Sequence, residues 1–133
     1  MVSDSFEQLR DDIIRGDTIA VRRFLERGGD PNVHSEKGEC ALSAAAIAGQ
    51  TPVVEILIHA GALVDGHSKS GWTPLYFACA HNHVRTVQTL LNNGASRNVM
   101  IHGKPMTYWL SLNNDRQRVI ELLTHSEPGQ SNA

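Results

Sequence analysis

Several things are scarce in this 133-residue chain, and each shortage removes a class of function. Only two cysteines occur, Cys40 and Cys79, both in apolar, helix-like surroundings. That is too few for a disulfide scaffold and fits reduced structural thiols, so the cytoplasm, and also the nucleus, are the expected locations. No apolar run approaches the roughly 20 residues of a membrane span. The opening stretch MVSDSFEQLRDD is acidic where a secretory leader would be basic and then apolar, so a soluble, unprocessed chain is expected. Neither sign of charge is in excess, with 12 basic against 14 acidic residues. The basic residues are scattered rather than gathered into a stripe, which speaks against nucleic acid. The length suits one domain able to bury a core without metals or disulfides.

What the chain does have is repetition. Gly28, Gly61 and Gly94 are separated by 33 residues, and so are Val21, Val54 and Val87. Gly16, Gly49 and Asn82 keep the step, as do Asn32, Asp65 and Asn98. Beyond Asn98 the matching pairs fall 32 apart: Gly71 with Gly103, Asn82 with Asn114, Val87 with Val119, and Leu90/Leu91 with Leu122/Leu123. One residue is therefore missing between Asn98 and Gly103.

Each period reads as two short helices and a turn-rich connection. In ALSAAAIAG the first helix closes at Gly49; in PVVEILIHAG the second starts at Pro52 and closes at Gly61. Asn82 and Asn114 replace glycine at the first stop, and asparagine is the next most tolerant residue for a left-handed conformation. Val54, Leu57 and Ile58, and likewise Val87, Leu90 and Leu91, form one apolar stripe. The first helices are rich in alanine, which lets neighbouring repeats approach closely.

The period GWTPLYFACAHNHVRTVQTLLNNGASRN resembles the ankyrin repeat, a 33-residue unit whose signature is T-P-L-H-x-A. Thr73, Pro74, Leu75 and Ala78 match, with Tyr76 in the histidine place; Cys40, Ala41, Leu42, Ser43 and Ala45 carry the same frame more loosely. The first period keeps GDTIAVRRFLERGGDPN and looks like an N-terminal cap, while the last keeps RVIELL, departs from the signature at KPMTYW, and looks like a C-terminal cap. The resemblance implies an all-α solenoid, helix-turn-helix units joined by β-hairpin-like fingers, in one domain. Repeats are placed at about 5–34, 35–67, 68–100 and 101–125, followed by a polar tail, 126–133. Stacked repeats need polar outer faces at their ends, which Asp11, Asp12 and Arg15, and Asn113–Arg116 with Arg118, would supply.

Catalysis finds little support. The densest histidine cluster is CAHNH, but His81 and His83 are two apart, whereas helical metal ligands sit three or four apart. Both are read as solvent-facing imidazoles at a helix end. There is no phosphate loop and no nucleophile in a recognisable setting. No enzyme activity, metal or cofactor is expected.

The resemblance instead implies a concave face, made of finger tips and first-helix ends, that grips a partner protein. Carried over by position, the first finger offers His34, Glu36, Lys37 and Glu39, and the second His67, Lys69, Ser70 and Trp72. The third offers Met100, Ile101, His102 and Lys104, and the helix ends add Ile47, Ala48, Ala80, His81, Leu112 and Asn113. Trp72 has two readings, an interface anchor or a residue packed over the hairpin stem. Met100 and Ile101 stand where the other fingers carry His34/Ser35 and His67/Ser68; Ile101 is expected to cover the cap and Met100 to meet a partner. The expected function is that of a small adaptor or inhibitor, monomeric when unbound. The alternative is a substrate-recognition subunit of a larger assembly, such as a ubiquitin ligase, or a microbial effector. The few residues after the expected last helix speak against an appended helical recruitment box, so none is expected.

Overall fold

The computed structural model describes residues 2–67, 71–97, 99–112 and 116–125. Among these residues the chain forms eight helices: α1 (Val2–Arg15), α2 (Thr18–Glu26), α3 (Ala41–Ala48), α4 (Thr51–His59), α5 (Pro74–Ala80), α6 (Val84–Asn92), α7 (Met106–Ser111) and α8 (Gln117–His125). They pair as four antiparallel hairpins. The first helices stack in the order α1, α3, α5, α7, and the second helices in the order α2, α4, α6, α8. The all-α stack of helical repeats expected from the sequence is what the chain forms.

The local signals act as their chemistry requires. The Asp17 carboxylate accepts from Ala20 N at 3.0 Å and the Thr73 hydroxyl from Tyr76 N at 3.3 Å, capping α2 and α5. At the other ends, Gly16, Gly49 and Asn82 adopt φ of 73°, 70° and 58°. Asparagine thus keeps the left-handed stop where glycine is absent.

Two ladders of side chains tie each repeat to the one before it. Gln50 Nε2 donates to Ile14 O at 2.8 Å, His83 Nε2 lies 2.9 Å from Ile47 O, and Arg116 Nε donates to Ala80 O at 2.7 Å. Each rung satisfies a carbonyl left open at the end of a first helix. The helix-ending glycines make room for it: a Cβ at Gly16 would lie 2.7 Å from Gln50 Oε1, and one at Gly49 2.6 Å from His83 Nδ1. The second ladder runs along the loops. The Asn32 carboxamide donates to Gly61 O and accepts from Leu63 N, and the Asp65 carboxylate accepts from Ser96 N.

The first ladder corrects the register expected for the last repeat. Arg116 takes the place of His83, 33 residues on, and the buried sets Val53, Thr86, Val119 and Leu57, Leu90, Leu123 follow the same step. The 32-residue matches of Val87 with Val119 and of Leu90 with Leu122 are coincidences of identity. Burial decides which residues are equivalent. From the start of α7 to the start of α8 the chain uses residues 106–116, one more than the 74–83 it uses from the start of α5 to the start of α6, so the residue lost in the third finger is regained there. Met106 opens α7, 32 residues after Pro74 opens α5, and both are buried, so the last repeat enters its first helix at the place of the signature proline.

The core runs the length of the stack, from Phe6, Leu9 and Ile13 through Leu42, Leu57, Leu75 and Leu90 to Leu110 and Leu123. Buried alanines of α3, together with Ala78 and Cys79 of α5, let the first helices pack closely. The Thr51 and Thr86 hydroxyls, buried between α4 and α6, satisfy each other at 2.8 Å.

Candidate functional site

Pairing in the fingers decides which side chains face the first helices. In the first finger His34 bridges to Cys40, while Ser35 N donates to Glu39 O. Side chains alternate across a strand, so Ser35 and Glu39 share one side and His34 and Cys40 the other. Glu39 faces α1, where its carboxylate meets Arg10 Nε at 3.3 Å. The third finger is a two-stranded sheet, β1 (Met100–Ile101) with β2 (Lys104–Pro105), pairing Ile101 with Lys104 and Met100 with Pro105. His102 and Gly103 form its two-residue turn at φ of 52° and 77°. That tight turn absorbs the missing residue.

Five rings gather beside the inward-facing side of the second and third fingers. Trp72 packs on Tyr76 at 4.4 Å between centroids, on His102 at 5.6 Å and edge-on to Trp109 at 5.8 Å. Tyr108 stands edge-on to Trp109 at 5.1 Å, and the Lys104 ammonium lies 5.0 Å above the Tyr108 ring. Trp109 Nε1 donates to Ile101 O at 2.9 Å, fastening the third finger to α7. Trp72 is half-buried in this cluster, as its packing reading required. Ile101 is only 1% exposed, buried as its cap-covering reading expects, which removes it from the positional list of partner contacts; Met100 is 61% exposed.

The opposite side of the fingers holds a different feature. A cleft of about 790 Å³ lies between the first finger and the segment entering the second, lined by Leu42, Leu63, Val64, Cys40, His34 and His67 among others. His34 and His67 therefore stand apart from Glu39 and Trp72, which a single concave face would have joined. Lys69 and Ser70 lie outside the described residues, as do Asn113 and the tail. Glu36, Lys37 and His102 are exposed at finger tips.

Beyond the fingers, the first-helix ends line up Ile14, Ile47, Ala80 and Leu112, of which Ile14 and Leu112 are 43% and 66% exposed. His81 is exposed beside them, its ring stacked on that of His83 at 6.1 Å. Partial burial, and then the neighbouring His83 and Arg116, hold the His81 imidazole below its ordinary pKa of 6.5. His83 is not the solvent-facing imidazole expected from its place at a helix end. It is partly buried and clasped to Ile47 O. Among the described residues no three His, Cys, Asp or Glu groups converge in a way that could hold a metal. Burial pushes the Cys79 thiol up to about 12, which keeps it protonated and unreactive at neutral pH.

Four stacked helix hairpins, a 33-residue step and fingers between them leave one assignment, and a family model for ankyrin repeats matches residues 13–101 in three copies. The chain belongs to the ankyrin-repeat family. Its similar proteins include the mouse RelA-associated inhibitor, 33% identical over 88 residues, which are 66% of this chain and 11% of that protein. Mouse protein phosphatase 1 regulatory subunit 27 is 32% identical over 88 residues, 65% of this chain and 57% of that one. The Drosophila melanogaster ARF GTPase-activating protein Git is 41% identical over 71 residues, 53% of this chain and 10% of that protein. The chain thus spans a tenth to somewhat over half of these relatives. Ankyrin repeats, with relatives named as an inhibitor and as a regulatory subunit, support a role in protein interaction.

Sequence reasoning missed Arg10, Tyr76, Tyr108, Trp109 and Arg116 as members of the finger and inner-helix face. A signal for the three aromatic ones was there. Aromatics are only 5% of the chain, and five of the seven Phe, Trp and Tyr residues fall between Trp72 and Trp109.

Proposed function

We propose that this ankyrin chain acts as an adaptor or inhibitor that grips another protein through its finger and inner-helix face, without performing chemistry. The observation that carries the reading is the partly exposed aromatic and apolar surface across α5, the third finger and α7. There Tyr108 and Leu112 are 41% and 66% exposed beside the half-buried Trp72 and Trp109. Exposed aromatic and aliphatic groups around a rigid anchor are what partner surfaces use. Glu36, Lys37, Glu39, Ile47, Trp72, His81, His102 and Lys104 border or build this face, and Met100, His34 and His67 offer contacts on the other side of the fingers. The unbound chain is read as a monomer working in the cytoplasm or nucleus; no helix among the described residues is long and apolar enough to cross a membrane.

Affinity capture compares the wild-type chain with a Tyr108→Ser, Leu112→Ser double variant of matched melting temperature. Loss of the wild-type partners is the expected result; a folded variant that retains every partner overturns the reading. A second reading, recognition module of a larger assembly, is supported by the relatives in which the matched segment is a small part of a long chain. Co-purification of the captured partner with ligase or scaffold subunits would favour it.

A further inference from the structure

The acidic residues are distributed unevenly along the stack. Eleven of the 14 lie at or before Asp65, and no Asp or Glu occurs between Asp65 and Asp115. That acid-free stretch supplies the second finger, α5, α6, the third finger and α7. Of the cations near the inner face of the first two repeats, the two on α1 are neutralised, Arg10 by Glu39 at 3.3 Å and Arg15 by Asp12 at 2.6 Å, and Lys37 stands exposed at the finger tip. The two beside the aromatic cluster are not neutralised. Lys104 rests over the Tyr108 ring and Arg116 donates Nε to a backbone carbonyl, and neither makes an ion pair with any described residue. The two cations bracket the aromatic cluster, Lys104 at the finger and Arg116 with His81 and His83 at the far end of α5, about 10 Å away along a seven-residue helix.

We propose that this half of the face, from Lys104 and Tyr108 past Trp72 and Tyr76 to His81 and Arg116, docks an acidic, apolar-bearing segment of a partner protein. The proposal rests on the reading that the inner face binds protein, and it adds the partner's chemistry. Carboxylates on the segment meet the unpaired cations at either end, and its apolar side chains lie on Tyr108 and Leu112 between them. A single-stranded nucleic acid fits less well. The rings pack tilted or edge-on against one another, and among Trp72, Tyr76, Tyr108 and Trp109 only Tyr108 is exposed, at 41%, too little platform for successive bases.

Docking is coupled to protons. Among the described residues the charged or titratable groups around His81 are His83 and Arg116, both disfavouring the imidazolium. The neighbouring end of α3 contributes only Ile47 and Ala48, and α7 contributes Leu112. His102 and Lys104 lie at the finger. A bound carboxylate reverses the balance at His81, so acidification strengthens the complex.

Fluorescence anisotropy with labelled peptides tests this, using a repeat of Glu-Tyr-Glu-Leu, the same repeat with Gln or Lys in place of Glu, and an oligothymidylate. The glutamate peptide should bind about tenfold or more tighter than the glutamine peptide. Its binding should tighten several-fold between about pH 7.5 and about pH 6, with His81→Gln removing that gain. Lys104→Glu and Arg116→Gln should each weaken it, whereas Arg22→Glu, exposed on α2 among the second helices, should not. Arg116→Gln keeps the clasp, because Gln50 makes the same bond one ladder end away, so a loss there reports charge rather than unfolding.

Equal binding of the glutamate and glutamine peptides, preference for the lysine peptide, or binding of the oligonucleotide alone overturns the proposal. Self-association of the free chain that Lys104→Glu abolishes also overturns it, giving the site to the acidic half of a second copy. If capture through this face succeeds while the peptides show no acidic preference, only the partner chemistry fails.

Discussion

At Gly49 one residue serves two interactions at once. Its left-handed φ of 70° ends α3, and its missing side chain leaves the space that the His83 ring occupies while reaching Ile47 O. Gly49→Ala should therefore cost on the order of 2 kcal/mol or more, from the strained conformation and the displaced clasp together, read as a drop in urea midpoint. Cys79 makes a different prediction. Its thiol is buried and held at about 12, so in the native protein it should resist a thiol-reactive dye at mildly alkaline pH and react once urea unfolds the chain. The unfolded thiol ionises near 9.0, so the stability this residue confers is full below that pH and is lost as pH rises toward about 12.

Among the elements, the third finger shows how a deletion is absorbed. Shortening the turn to His102-Gly103 brings β1 and β2 together, and the finger then folds onto α7 through the Trp109 indole and the buried Ile101. The two adjacent apolar residues of β1 point to opposite sides, and they should respond differently to truncation. Ile101→Ala should cost about 2–5 kcal/mol, whereas Met100→Ala should change stability by no more than about 0.5 kcal/mol. Thermal melts of the two variants check this. A large loss from Met100→Ala would contradict the hairpin register. At α8 the same scale explains a misreading: identity matched Val87 with Val119, but Arg116 on Ala80 O and the burial of Val119 and Leu123 set the helix one residue further on.

For the whole molecule, stability is shared between neighbouring repeats, which meet through buried alanines, the two side-chain ladders and the leucine stripe of the second helices. The pH response belongs to this scale, because His81 and Arg116 come from adjacent repeats. Folded, His81 resists protonation; unfolded, it protonates near 6.5. Its contribution is intact above that pH and is eroded as the pH falls below it. Melting temperature should accordingly fall on acidification more steeply for the wild type than for His81→Gln. An identical pH profile for the two would place the acid sensitivity elsewhere.

The sequence by itself determined the number and pairing of helices, because the 33-residue step, the helix-stop glycines with Asn82 and the apolar stripes are local chemistry repeated in register; Asn114, the stop expected for the last repeat, lies outside the described residues. It also carried the acid-free stretch from 66 to 114 and the clustering of scarce aromatics. Tertiary structure alone decided which side of each finger a residue occupies, since a one-residue change in strand register moves a side chain to the opposite face. That is why Ile101 is core, why His34 lines a cleft while Glu39 meets Arg10, and why His83 and Arg116, solvent-facing or polar-cap residues by sequence, became rungs of one ladder. Those assignments depend on which carbonyl, ring or carboxylate a neighbouring repeat brings within reach, and residues some 30 positions apart acquire such partners only when the repeats stack.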